Sequence, residues 1–162
     1  MSVDMNLKAV MNRIALAASR AGREPSSVRL VVVTKTVDVD RIRAAVNAGA
    51  LILGENRVQE AKEKIEKLGN TASWHLIGRL QTNKAKYAVK LFDLIHSVDG
   101  LELAKELDKQ AAKINKVQDV LIEVSIAGET AKAGVAISEA ANLAREASKL
   151  DNIRIKGLMT MP

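Results

Sequence analysis

Apolar residues recur every three or four positions over residues 6 to 20. Leu7, Val10, Met11, Ile14 and Ala18 share one face, and Arg13 and Arg20 fall outside it. That spacing predicts an amphipathic helix, broken by Gly22, Pro25, Ser26 and Ser27. Residues 29 to 35 read Arg-Leu-Val-Val-Val-Thr-Lys, a β-branched run that predicts a parallel strand buried on both faces. The two periods then alternate. Helices are predicted over 39–48 (Val39, Ile42 and Val46 inward, Gly49 ending it), 57–68 (Val58, Ala61, Ile65, Leu68) and 82–91. A further helix follows Asp99, with Leu103, Leu107, Ala111 and Ile114 inward, and another starts at Ser138, burying Ala140, Leu143, Ala147 and Leu150. Asp99 with Glu102 three positions on is the pattern of a reciprocal cap. Strands are expected at 50–53, 73–77, 92–96, 117–124 and 153–158.

Six strands separated by five helices, with one helix in front and no shift in composition, describe a single α/β domain over residues 1–162. A doubly wound sheet and a (β/α)8 barrel both alternate in this way. The doubly wound nucleotide-binding sheet places glycines in its first turn, whereas Thr34-Lys35-Thr36-Val37-Asp38 stands there, so the barrel is expected. At roughly 25 residues per βα unit and about 250 for a closed barrel, the chain supplies an incomplete TIM barrel of about six strands. A partial barrel leaves sheet edges that a second copy would cover.

Composition narrows the function. The 162 residues carry 25 Lys+Arg and 19 Asp+Glu, a formal charge of +6, but the lysines are interleaved with acids. Trp74, Tyr87 and Phe92 are the only aromatic residues, so the stacking platforms of single-strand nucleic-acid binders are missing. The absence of cysteine removes disulfides, thiolate metal sites and a cysteine nucleophile, and agrees with a reducing, cytoplasmic setting. No 18-residue apolar run offers a membrane span. Two histidines without a close carboxylate make a poor metal set.

In a barrel, chemistry collects where strands end, and polar residues recur there: Lys35, Gly54-Glu55-Asn56, His75, Gly78, His96-Ser97, Glu123, Ser125 and Met159-Thr160. Lys35 shares a strand face with Val31 and Val33. Its amine is either a Schiff-base nucleophile or a strand-end lysine reaching solvent. Asn56 either faces a ligand or caps the next helix. His75, opposite Trp74 and Leu76, is a satisfied inner histidine or a proton donor. The stretch Gly128–Gly134, with Lys132, is a lid or an ordinary loop, and Arg79, Lys84, Lys86 and Lys90 are a polyanion contact or a solvated face.

These rim residues form a series: Val33-Thr34-Lys35-Thr36, Gly54-Glu55-Asn56 with Val58-Gln59-Glu60-Ala61, and Trp74-His75-Leu76-Ile77-Gly78. It continues through Leu80-Gln81-Thr82-Asn83-Lys84, His96-Ser97-Val98-Asp99, Gly128-Glu129 to Lys132-Ala133-Gly134, and Gly157-Leu158-Met159-Thr160. The series resembles the YggS/PROSC-type pyridoxal phosphate homeostasis proteins. The resemblance implies a barrel of the alanine racemase N-terminal type, with pyridoxal 5′-phosphate held as a Schiff base on Lys35. Asn56, His75, Ser97 and Met159 are then expected around the cofactor, with Lys132 in its handling. It further implies a carrier or regulator in vitamin B6 and amino-acid homeostasis, without established turnover, that serves pyridoxal-phosphate-dependent apoenzymes and is monomeric as a complete domain. A weak amino-acid enzyme and a self-associating partial barrel with poor cofactor binding are the alternative expectations. The second rests on the family's phosphate cup, carried by strands beyond the sixth. Val37, Arg57, Arg79 and Ser125 depart from the residues usual in the family.

Overall fold

A computed structural model describes residues 2–126 and 134–161. Helix α1 (Val3–Arg20) starts where the Ser2 hydroxyl accepts the Met5 N–H, and a 3-10 turn at Pro25–Ser27 leads to β1 (Val32–Val33). There follow α2 (Val39–Asn47), β2 (Ile52–Glu55), α3 (Val58–Leu68), β3 (Ser73–Leu76), α4 (Ala85–Leu91) and β4 (Leu94–Val98). The series ends with α5 (Leu101–Ala112), β5 (Gln118–Ser125), β6 (Val135–Ala136), α6 (Ile137–Ala147) and β7 (Ile153–Met159).

All the strand pairs are parallel, and neighbours run in chain order: β1, β2, β3, β4, β5, then β7 beside β5. A doubly wound sheet reverses its order at a switch point. Unbroken succession is the winding of a barrel, as the patterning predicts. Because every strand points the same way, all their carboxyl ends meet at one rim.

The helices cover one face. Leu53, Leu76, Ile95 and Val120 are fully buried there, packed with Ile42, Ala61, Ala88 and Leu107, while Ile122 and Val124 meet Ala140 and Leu143 of α6. Truncating one of these leucines to alanine costs about 2–5 kcal/mol. The other face is open: Val33 is 46% exposed. This corrects the expectation for the first strand, whose paired part is two residues with a single covered face.

Other expectations change for local reasons. In α1, Leu7 reaches the core but Val10 and Met11 stay exposed, because α1 rests chiefly on α2 and the following 3-10 turn. Helix α5 begins after Gly100 with no side-chain cap; Asp99 pairs instead with Arg79 at 3.5 Å. Ile114 lies past the end of α5 and is exposed. The short β6, paired to Val124–Ser125, has no signal in the patterning. Among the described residues no helix is long and apolar enough to cross a membrane.

Candidate functional site at the carboxyl ends of the strands

Lys35 follows β1 in a tight turn. The Val37 N–H donates to the Thr34 carbonyl at 3.1 Å, and Thr36, third of the four residues, has φ 61°. Turns of this kind reserve that position for glycine, and a β-branched residue there is strained. Thr34 is buried on the helix-covered side, where its hydroxyl donates to Glu55 Oε1 at 2.6 Å. Its successor Lys35 therefore falls on the open side and is exposed.

Gly54 keeps that side low. A β-carbon there would stand 2.9 Å from Val31 Cγ1 and 3.2 Å from Ile77 Cδ1. Its register partners are Val33 and His75, so Lys35, Gly54 and His75 belong to one surface. Asn56 follows at the end of β2. It does not cap α3, whose cap position is Arg57 without a side-chain bond, so the capping account fails. Gly78 lies directly against the Asn56 backbone, too close for any β-carbon. Ser97 is fully buried and donates its hydroxyl to the Gly78 carbonyl at 2.7 Å. Ser97 is thereby tied to the rim through Gly78 and Asn56.

His75 Nδ1 and His96 Nε2 are 3.0 Å apart. Burial lowers both imidazoles. Asp93 partly offsets this for His75, and His75 itself helps to push His96 down to about 4. At neutral pH the two rings are uncharged and share one hydrogen bond.

Glu123 and Met159 are register partners on β5 and β7. Glu123 is 5% exposed and its Oε2 finds no hydrogen-bond partner among the described residues. Burial raises its carboxyl, nearby Asp99 raises it further, and Arg79 opposes them. Lys132 and most of the Gly128–Gly134 stretch lie outside the described residues.

Sequence reasoning missed the buried ions behind the turn. The Lys64 ammonium donates to the Thr34 carbonyl at 2.6 Å, to Glu55 Oε1 at 2.7 Å and to Glu60 Oε1 at 2.7 Å. Glu60 Oε1 also accepts the Thr36 N–H at 2.6 Å. Burial alone would lower the Lys64 ammonium, but its bonds to Glu55 and Glu60 outweigh that and hold it above the ordinary lysine value. The signal was present: Lys64, three after Ala61 and four before Leu68, stands on the buried stripe of α3.

A parallel βα sheet in chain order with a lysine at the end of its first strand defines a domain of the alanine racemase N-terminal type. That family, described as "Alanine racemase, N-terminal domain", matches residues 5–162. The pyridoxal phosphate homeostasis protein of Aquifex aeolicus is 46% identical over 157 residues, 96% of this chain and 69% of its own length. A protein of unknown function from Bifidobacterium adolescentis superposes with a TM-score of 0.91 at 37% identity, over 98% of this chain and 69% of that one. PipY of Synechococcus elongatus, solved with pyridoxal phosphate bound, gives 0.78 at 37% identity over 92% of this chain and 70% of its own. The chain belongs to the pyridoxal phosphate homeostasis protein family.

Proposed function

We propose that this chain binds pyridoxal 5′-phosphate through Lys35 and serves as a carrier or regulator in vitamin B6 and amino-acid homeostasis. The observation that carries this reading is the exposed Lys35, held in a strained turn on the same surface as Gly54 and His75. The similarity to PipY with the cofactor bound supports it.

The residues present fit the group. Lys35 offers an amine at the end of β1, Asn56 an amide just past the end of β2, and His75 with His96 a pair of uncharged rings for an aromatic ring to lie near. Met159 adds an adaptable apolar side chain on the same face, and the net charge of +6 favours a phosphate-bearing ligand. Bound there, the cofactor would supply a carbonyl carbon within reach of the Lys35 amine and an electron-withdrawing ring. Racemisation needs proton carriers on both faces of the reacting carbon, and no tyrosine ends a strand here. The only tyrosine, Tyr87, lies on α4 and lines a pocket with Asn56, Arg57, Arg79 and Lys84. A carrier role in the cytoplasm, delivering to pyridoxal-phosphate-dependent apoenzymes, suits this equipment. Lys132 is assigned to the handover, and association between copies to the open sheet edges.

Titration of the purified protein with pyridoxal phosphate, followed by borohydride reduction and peptide mass mapping, tests the reading. The expected result is one pyridoxyl group on Lys35, lost in Lys35→Ala and outcompeted weakly by pyridoxal lacking phosphate. Labelling spread evenly over surface lysines would overturn it.

A further inference from the structure

The turn that carries Lys35 is strained, and the ions behind it hold that strain in place. Thr36 keeps a left-handed backbone that costs roughly 1–3 kcal/mol and persists only where its surroundings enforce it. Three bonds do so. Glu55 fixes the Thr34 hydroxyl, Lys64 fixes the Thr34 carbonyl, and Glu60 fixes the Thr36 N–H. They grip the residues on either side of Lys35 and leave Lys35 itself untouched.

We propose that Glu55, Glu60 and Lys64, with Thr34, are positioning residues. They set the backbone of the Lys35 turn so that the Lys35 amine, and no other, meets a carbonyl ligand on the open face. The proposal rests on the reading of Lys35 given above. Chemistry separates the two lysines of this cluster. The Lys64 ammonium has three N–H bonds, and all three are spent at 2.6–2.7 Å on acceptors, two of them carboxylates. An amine held protonated in this way has no lone pair for an aldehyde. Among the described residues Lys35 carries no such load. The cluster thus retires one amine and aims the other.

The arrangement also explains why a threonine tolerates a glycine position. Glu60 is an ion accepting from a backbone N–H, the stronger kind of hydrogen bond, and Lys64 fixes Glu60 in turn. Glu60 is partly exposed, so it can be altered without emptying the core. Thr34 can be altered by one atom.

The test uses Glu60→Ala and Thr34→Val, with Glu60→Gln and Thr34→Ser as conservative partners. In the cofactor-free protein, Lys35 is labelled by formaldehyde and borohydride, and its rate is compared with that of the other lysines by mass spectrometry. Hydrogen exchange is followed at the Thr36 amide. Expected in Glu60→Ala are faster Thr36 exchange and a Lys35 rate brought to within about twofold of the exposed lysines, with pyridoxal phosphate affinity falling about tenfold. Thr34→Val is expected to act in the same direction, and Glu60→Gln and Thr34→Ser to restore most of the wild-type behaviour, since each keeps its oxygen acceptor or hydroxyl. Unchanged Lys35 labelling and unchanged cofactor affinity in Glu60→Ala and Thr34→Val, whatever happens to their melting temperatures, would overturn the proposal. If wild-type Lys35 takes no pyridoxyl label, the functional reading fails separately. The formaldehyde and exchange measurements then decide the clamp alone: altered Lys35 labelling sustains it and unaltered labelling removes it.

Discussion

Two glutamates stand near the same rim of the sheet and are treated in opposite ways. Glu55, at the end of β2, is fully buried and shares Oε1 between the Thr34 hydroxyl and the Lys64 ammonium, while its Oε2 has no hydrogen-bond partner among the described residues. Glu123, on β5, is almost as buried and its Oε2 likewise has no partner among the described residues, but the charges acting on it are Asp99, which raises its carboxyl, and Arg79, which lowers it. On the β1–β2 side the chain spends ions to fix a turn. On the β4–β5 side burial and the neighbouring Asp99 push the Glu123 carboxyl up. Burial is similar; what differs is the surroundings, a hydroxyl and an ammonium within hydrogen-bond reach of Glu55 Oε1 and a like charge, Asp99, acting on Glu123.

The comparison breaks most visibly at Lys64. In Lys64→Met, Glu55 and Glu60 lose their common cation, and an uncompensated buried charge costs about 3–5 kcal/mol. Urea denaturation at neutral pH should show that loss. Acid should act next, through the histidine pair. His96 titrates at about 4 in the folded protein against an ordinary 6.5. Between those values the unfolded chain binds more protons, so stability is complete above 6.5 and declines as pH falls toward 4. Melting temperature against pH should slope accordingly, and His96→Phe should flatten the slope.

Glu123 carries the opposite sign. Its folded carboxyl is raised, so its contribution is complete below the ordinary carboxylate range and is lost as pH rises through the folded value. Glu123→Gln should gain about 1 kcal/mol at pH 8, the low end of the cost of an unmet buried group, and nothing at pH 4, read by paired urea titrations. The smallest effect belongs to Arg79→Ala. Its pair with Asp99 is largely solvent-exposed on the arginine side, so stability should change by less than about 0.5 kcal/mol. NMR titration of Glu123 should meanwhile move further upward.

Periodicity alone places most of the helices and six of the strands, because each buries a stripe of Val, Ile, Leu and Ala on one covered face. Lys35 was legible for a related reason: a cation ending a β-branched run needs an explanation. The clamp was harder to see. Glu55, Glu60 and Lys64 resemble ordinary rim and helix charges until β1, β2 and α3 bring Thr34 among them. Ser97 also lay within reach of sequence reasoning, but the direction of its hydroxyl depends on where the β3 loop carries Gly78. The cap expected at Asp99 failed because a tertiary partner, Arg79, stands nearby.

The contact of Gly78 on Asn56 has a mechanical consequence. There is no room for even a methyl group between them, and the Ile77 N–H donates to the Glu55 carbonyl just before the contact, so the segments following β2 and β3 are held close, like two pages pinned at one corner. Adding a single carbon at position 78 would prise them apart and tilt Asn56 without altering any group that touches a ligand. A weakened grip in such a variant would report on carpentry, and a survey that swapped only the pocket's own side chains would never find it.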